Sequence, residues 1–229
     1  MNKKLLICTL FLVSIARINA MQKEDVKPKE SDAQPLILES YFSSKDDIAA
    51  IIKRKMWQHT GKIWACSYQF TSSQLAEEWA TRIHINSFNR ACAAYNIDQK
   101  SFKHICDTNP EALDNALHNM GKHTTNDRLI IDKSSTIFEL RKLINAGVAV
   151  YVKKRNRNPH ANYENMHHKF MIFYDGNNPS GSLLINGSFN LTNNATHSWE
   201  NIIITNESNL IEKFVKEFND ILPYCDKLT

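Results

Sequence analysis

The chain has 229 residues, enough for one domain with a full hydrophobic core. Hydrophobic residues make up 42% and charged residues 23%, which excludes collagen-like, low-complexity and wholly disordered classes. The formal charge is +4, but three of the 28 basic residues (Lys3, Lys4 and Arg17) lie in a segment that reads as a removable leader. The remaining 25 face 24 acidic residues, so attraction for a polyanion has to come from a local cluster.

Asn2-Lys3-Lys4 is the positive end of an export signal, and Leu5 to Ile15 is its apolar core. Ala16-Arg17-Ile18-Asn19-Ala20 offers a cut after Ala20, which gives a periplasmic or secreted protein. The alternative is a retained membrane anchor, although that apolar core falls well short of the ~20 residues that span a bilayer. Residues 21–35 read as a polar, disordered linker, and 36–229 as the folded domain.

Along that domain, Leu36 to Phe42 predicts a strand. Ser44 with Asp47 is a helix start of capping-box type, and Ile48, Ile51 and Ile52 give the helix an apolar face. Lys62 to Phe70 predicts a strand and Ser73 to about Ile83 a helix. Residues 84–126 are polar, rich in His and Asn and weakly periodic, and read as an atypical insert. Arg128 to Asp132 predicts a strand, Ser135 to Asn145 a helix stopped by Gly147, and Val148 to Lys153 a strand. Then come the strand after His167, a hairpin through residues 175–179, a strand Ser182 to Asn186 and a short helix Leu191 to His197. Trp199 to Thr205 predicts a strand and Glu207 to Leu222 a closing helix. This alternation predicts an α/β domain, a mixed β-sheet with helices on both faces.

Of five cysteines, Cys8 leaves with the leader. An exported protein permits disulfides, and Cys92 and Cys106 are the pair expected first. Cys66, in an apolar strand, is expected to be a buried thiol. No Cys/His spacing suggests zinc, so neither metal nor cofactor is expected. The N-x-S/T sequons at Asn186, Asn190, Asn194 and Asn206 read as chance matches.

The chemistry concentrates in Met166-His167-His168-Lys169-Phe170-Met171-Ile172-Phe173-Tyr174-Asp175 and in Asn186-Gly187-Ser188-Phe189-Asn190. In an extended run His167 and Lys169 project to one side and His168 to the other, where it has a structural role. An imidazole, an ammonium and the neutral donors of a Gly-Ser-x-Asn turn suit a phosphoryl group: the imidazole attacks phosphorus and the rest hold the charged oxygens.

These residues resemble the phospholipase D superfamily signature, His-x-Lys-x4-Asp followed by Gly-Ser/Gly-x-Asn. The resemblance is strongest to the one-motif members, the secreted bacterial endonucleases and the mitochondrial phospholipase/piRNA nucleases. Trp199-Glu200-Asn201-Ile202-Ile203-Ile204 is similar to the family's Glu-Asn-apolar strand, and Ile63 to Thr71 to its first core strand and turn. The pattern's aspartate position holds Tyr174, with Asp175 one residue later, so either a bulge restores Asp175 or the role is lost.

The resemblance implies His167 as nucleophile and Lys169, Ser188 and Asn190 as the phosphate cradle. Asp175 becomes a structural charge partner, and Glu200 the carboxylate that orients the imidazole. The basic run Lys153, Lys154, Arg155 and Arg157 would hold substrate phosphates near the mouth of the site. The implied activity is metal-independent phosphodiester hydrolysis through a phosphohistidine. One motif supplies one histidine, so a homodimer sharing one active site is also implied. DNA or RNA is the expected substrate. Phospholipase D action on phospholipid headgroups is the alternative, and a non-catalytic nucleic-acid- or membrane-binding protein the rival of another class.

Overall fold

The computed structural model describes residues 35–59, 61–94, 126–132, 137–154, 165–174 and 181–229. In chain order the elements are β1 (Leu38–Phe42), α1 (Ile48–Gln58), β2 (Lys62–Ser67), α2 (Ser73–Ala94), β3 (Arg128–Ile131) and α3 (Ile137–Asn145). They continue with β4 (Ala149–Lys153), β5 (Lys169–Tyr174), β6 (Leu183–Gly187), β7 (Asn201–Thr205), α4 (Ser208–Ile221) and β8 (Cys225–Lys227). The strands form one eight-stranded sheet in the order β1-β7-β6-β5-β2-β3-β4-β8. Strands β2, β3 and β4 are parallel and every other pair is antiparallel. This is the expected mixed α/β sandwich. Parallel neighbours need crossovers, and the helical connections of β3 and β4 supply them.

Strand alternation sorts the core into two layers. Ile63, Ala65, Leu129, Ile131, Val150, Met171, Phe173, Ile185, Ile202 and Ile204 face α1, α2 and α3. Cys66, Ile130, Phe170, Ile172 and Leu184 face Ile211 and Phe218 of α4. Both faces of the central strands are therefore apolar, which explains their near-continuous hydrophobic runs.

Local chemistry sets the boundaries. Asp47 caps α1 by accepting the Ala50 N–H at 2.9 Å, so the cap is Asp47 and not Ser44. Gly147 adopts φ 97°, the left-handed conformation in which a helix ends cheaply, and its N–H returns to Ile144 O at 2.9 Å. Glu207 caps α4 through the N–H groups of Asn209 and Leu210.

Three expectations change. Helix α2 continues to Ala94, well past Ile83, so the start of the expected insert is an extension of that helix. Strand β2 ends at Ser67, and Phe70 instead forms an isolated bridge with Leu191. After α4 the chain turns through Pro223 and adds β8 to the sheet edge, a strand too short and polar to leave a periodic signal. The leader and most of the linker, Cys106 of the expected Cys92–Cys106 pair and the 175–179 hairpin lie outside the described residues.

At the sheet end away from the site, Asp127 organises a buried polar group. It accepts from Ile63 N at 2.9 Å and Trp79 Nε1 at 2.8 Å, and pairs with Arg82 at 3.4 Å. Arg82 also donates to the carbonyls of His59 and Gly61, so the start of β2 is tied to α2. With these donors the oxygens of the buried carboxylate are hydrogen-bonded, as buried polar groups need to be.

Candidate active site

The site forms where β2, β3, β4 and β6 end and β5 and β7 begin. Carboxyl ends of parallel strands are where α/β sheets open a crevice. Lys169 opens β5 opposite Ser67, and Gly187 closes β6 opposite Ile202. His167 lies just before the ladder, and its ring and the Lys169 side chain meet on one side as strand alternation requires. Lys169 Nζ is 3.1 Å from His167 Nδ1 and 3.4 Å from Nε2, and it donates to the His167 carbonyl at 2.9 Å. An ammonium can only donate, so a hydrogen bond from it to the ring requires a ring nitrogen that carries no proton. An incoming phosphoryl oxygen would compete for the same ammonium and release that ring nitrogen.

Tyr68, in the turn after β2, packs against both residues. Its ring is 4.7 Å from the His167 ring, and Lys169 Nζ lies 5.7 Å from its centroid. Burial pushes the Lys169 pKa down, and the Glu200 carboxylate opposes that shift. Glu200 therefore acts electrostatically on Lys169. The expected carboxylate–imidazole hydrogen bond is not among the contacts of His167, whose ring nitrogens face Lys169 instead.

The turn after β6 is held by close strand approach. A Cβ on Gly187 would sit 2.0 Å from Asn201 O and 2.8 Å from Ile202 Cα, so only glycine fits. Ser188 donates its N–H to Asn201 O at 3.0 Å. Its hydroxyl accepts from Asn201 N at 3.0 Å and donates to Asn201 Oδ1 at 3.2 Å. Ser188 is thus an interstrand staple whose hydroxyl proton must rotate to reach a phosphate. Asn190 Oδ1 is buried with no hydrogen-bond partner. Leaving a buried group of this kind unpaired costs about 1–3 kcal/mol. A half-turn of the carboxamide replaces Oδ1 with Nδ2, a donor suited to an anion.

Ser43 braces the entry to β7. Its hydroxyl donates to Ser198 O at 2.6 Å and accepts from Glu200 N at 2.8 Å, and its N–H donates to Glu200 O at 2.9 Å. His168 points the other way, as expected, and its Nε2 meets Glu217 of α4 at 2.9 Å. Tyr174 ends β5 stacked on Trp64 at 5.7 Å, an aromatic packing role, while Asp175 lies outside the described residues. Lys153 ends β4 and lies near Cys225, and Lys154 is ion-paired with Asp226 of β8. Arg155 and Arg157 lie outside the described residues. Cys66 is buried, as expected, and burial pushes its thiol well up. Among the described residues no group of three or more His, Cys, Asp or Glu is placed to hold a metal ion.

Asp132, Tyr68, Asn201 and Ser43 are site-supporting residues without an assignment from sequence. Tyr68 and Asn201 fall inside the motif segments. Asp132 is signalled only as a charge directly following a buried apolar strand.

Fold and site together define a mixed α/β domain with a His-x-Lys pair and a Gly-Ser-x-Asn turn at one sheet end. The family model described as cardiolipin synthase, PLD-like domain, matches residues 52–222, and the chain belongs to this phospholipase D-like family. Among solved structures it is similar to Nuc, a phospholipase D family member from Salmonella typhimurium. That match has 14% identity and a TM-score of 0.56, and covers 84% of this chain and 98% of Nuc. NucT from Helicobacter pylori is similar at 15% identity and a TM-score of 0.52, with 84% and 99% covered. At these identities the likeness speaks for the fold. Among curated protein sequences there is no significant match.

Proposed function

We propose that the chain is a metal-independent phosphodiesterase that cuts DNA or RNA without strong sequence preference. The observation that carries this reading is the His167–Lys169 pair, with Nζ 3.1 Å from the ring, beside the Gly187-Ser188 turn and the orphan Asn190 Oδ1. In the first step a His167 ring nitrogen bonds to phosphorus and a P–O bond breaks, while Lys169 and Asn190 hold the non-bridging oxygens. A protonated imidazole gives its proton to the leaving oxygen. Water then attacks phosphorus, the same imidazole takes its proton, and the P–N bond breaks. Glu200 helps to keep Lys169 protonated.

One imidazole cannot attack phosphorus and donate a proton at once, so the acid is assigned to His167 of a second copy. An uncovered apolar strip supports this assembly. Helix α4 covers the middle of its sheet face, and on that face Leu38, Phe42 and Ile203 stay 73%, 50% and 43% exposed, with Trp199 nearby at 90%. Solvent-facing apolar side chains grouped in this way mark an interaction surface.

Phospholipid is the second reading, favoured by the family model's description as a cardiolipin synthase domain. Purified protein is incubated in excess EDTA with plasmid DNA, RNA, and vesicles of phosphatidylcholine or cardiolipin. Nicking of plasmid or RNA without headgroup release supports the nuclease. Headgroup release alone selects the lipase, and no turnover of any substrate refutes both. An export leader (residues 1–20) is part of the proposal and places that substrate outside the cytoplasm.

A further inference from the structure

We infer that Asp132 is a positioning residue for His167, an inference that builds on the catalytic reading above. Strand β3 ends in Leu129, Ile130 and Ile131, all fully buried, and Asp132 follows them at only 7% exposure. A carboxylate that loses water there needs a donor. Its Oδ2 accepts the main-chain N–H of Met166, the residue immediately before His167.

The value of that bond follows from where β5 starts. Ladder pairing begins at Lys169 opposite Ser67, and among the described residues no strand pairs with residues 165–168. Asp132 supplies the hydrogen bond that a strand would otherwise give at Met166. The Met166 side chain is 3% exposed and packs in the α4-side core, so this residue is pinned by backbone and side chain together. On the far side of His167, Phe170 is likewise 3% exposed and pairs with Asn186. His167 therefore hangs between two fixed points, with its ring outside the core against Tyr68. A reacting ring has to be held within about 0.5 Å of its productive position, and a misplacement of about 1 Å can cost on the order of a hundredfold in rate.

The test compares Asp132→Ala, which deletes the acceptor, with Asp132→Asn, which keeps an oxygen in place. Both are measured below their unfolding transitions, with Leu143→Ala as a destabilised control distant from the site. We expect Asp132→Ala to lower kcat about tenfold to a hundredfold with KM within about threefold, and Asp132→Asn to recover most of it. Wild-type kcat in Asp132→Ala, or an equal loss in Leu143→Ala, overturns the inference. A second readout needs no turnover. The ring-nitrogen NMR signals of His167 should shift or broaden in Asp132→Ala and stay near wild type in Asp132→Asn. Unchanged signals in both variants overturn the positioning role. Wild-type protein without activity counts against the phosphodiesterase reading, and the NMR comparison still decides Asp132.

Discussion

Replacing Gly187 with alanine tests how the sheet builds the phosphate turn. The added methyl would lie 2.0 Å from Asn201 O, and carbon–oxygen contacts below about 3 Å are not sustained, so β6 and β7 must part by about 1 Å there. That opening stretches the Ser188 N–H to Asn201 O bond, and the return bond from Asn201 N to Ser188 Oγ, from 3.0 Å to about 4 Å. Overpacking of this kind costs about 1–3 kcal/mol, and two weakened hydrogen bonds bring the expected total to about 2–4 kcal/mol. With a urea m-value of about 2 kcal/mol per molar, the midpoint should fall by about 1–2 M. Turnover per folded molecule should drop by about a hundredfold, because Ser188 and the Asn190 segment move with the turn. Gly147→Ala is the control. Its φ of 97° strains alanine, so it should lose about 1 kcal/mol while leaving turnover intact. A Gly187→Ala protein with wild-type midpoint and wild-type turnover would refute the close-approach reasoning.

Burial lowers the Lys169 pKa, so activity should fall at alkaline pH before the ordinary lysine range is reached. Glu200→Gln removes the opposing charge and should move that limb to lower pH, and an unmoved limb would separate Glu200 from Lys169. Between the lowered folded value and the unfolded value of 10.5, the unfolded chain holds more protons, so this group makes stability rise with pH in that window. Neutralising Lys154, Arg155 and Arg157 should flatten the salt dependence of DNA binding by about two to three units, nearer two because Lys154 already pairs with Asp226. An unchanged slope would remove the basic run from the substrate path. Leu38→Glu with Ile203→Arg should convert a sedimenting dimer to monomer and abolish turnover. Dimers mixing wild-type and His167→Asn chains should be largely inactive, and a fully active monomer would exclude the shared site.

Much of the sheet and of the His167–Lys169 geometry was legible because period-two alternation is written directly into the residues. Ile63 to Ser67 and Lys169 to Tyr174 are apolar on both faces, and no helix-period reading competes with them. The placement of His168 on the side opposite His167 followed from the same alternation. What stayed hidden depends on tertiary approach. Glycine at 187 looks like any turn glycine until β7 lies against it, and Ser188 looks like a free hydroxyl until Asn201 claims it. Asp132 and Met166 are 34 residues apart, and no local pattern links them. Helix α2 outran its expected end because the polar residues after Ile83 carry little helical periodicity of their own. Strand β8 was missed because three residues, two of them charged, give no alternation to read.

The proposed mechanism requires that His167 becomes covalently phosphorylated during turnover. Wild-type protein and His167→Asn would be mixed with end-labelled oligonucleotide in excess EDTA and quenched in alkali, which preserves phosphoramidates and destroys acyl phosphates. Label is expected on the wild-type chain, mapped to the peptide holding Met166 to Lys169, with no label and no cleavage in a folded His167→Asn protein. Cleavage by His167→Asn at the wild-type rate, or activity lost in EDTA and restored by a divalent metal, would contradict the mechanism.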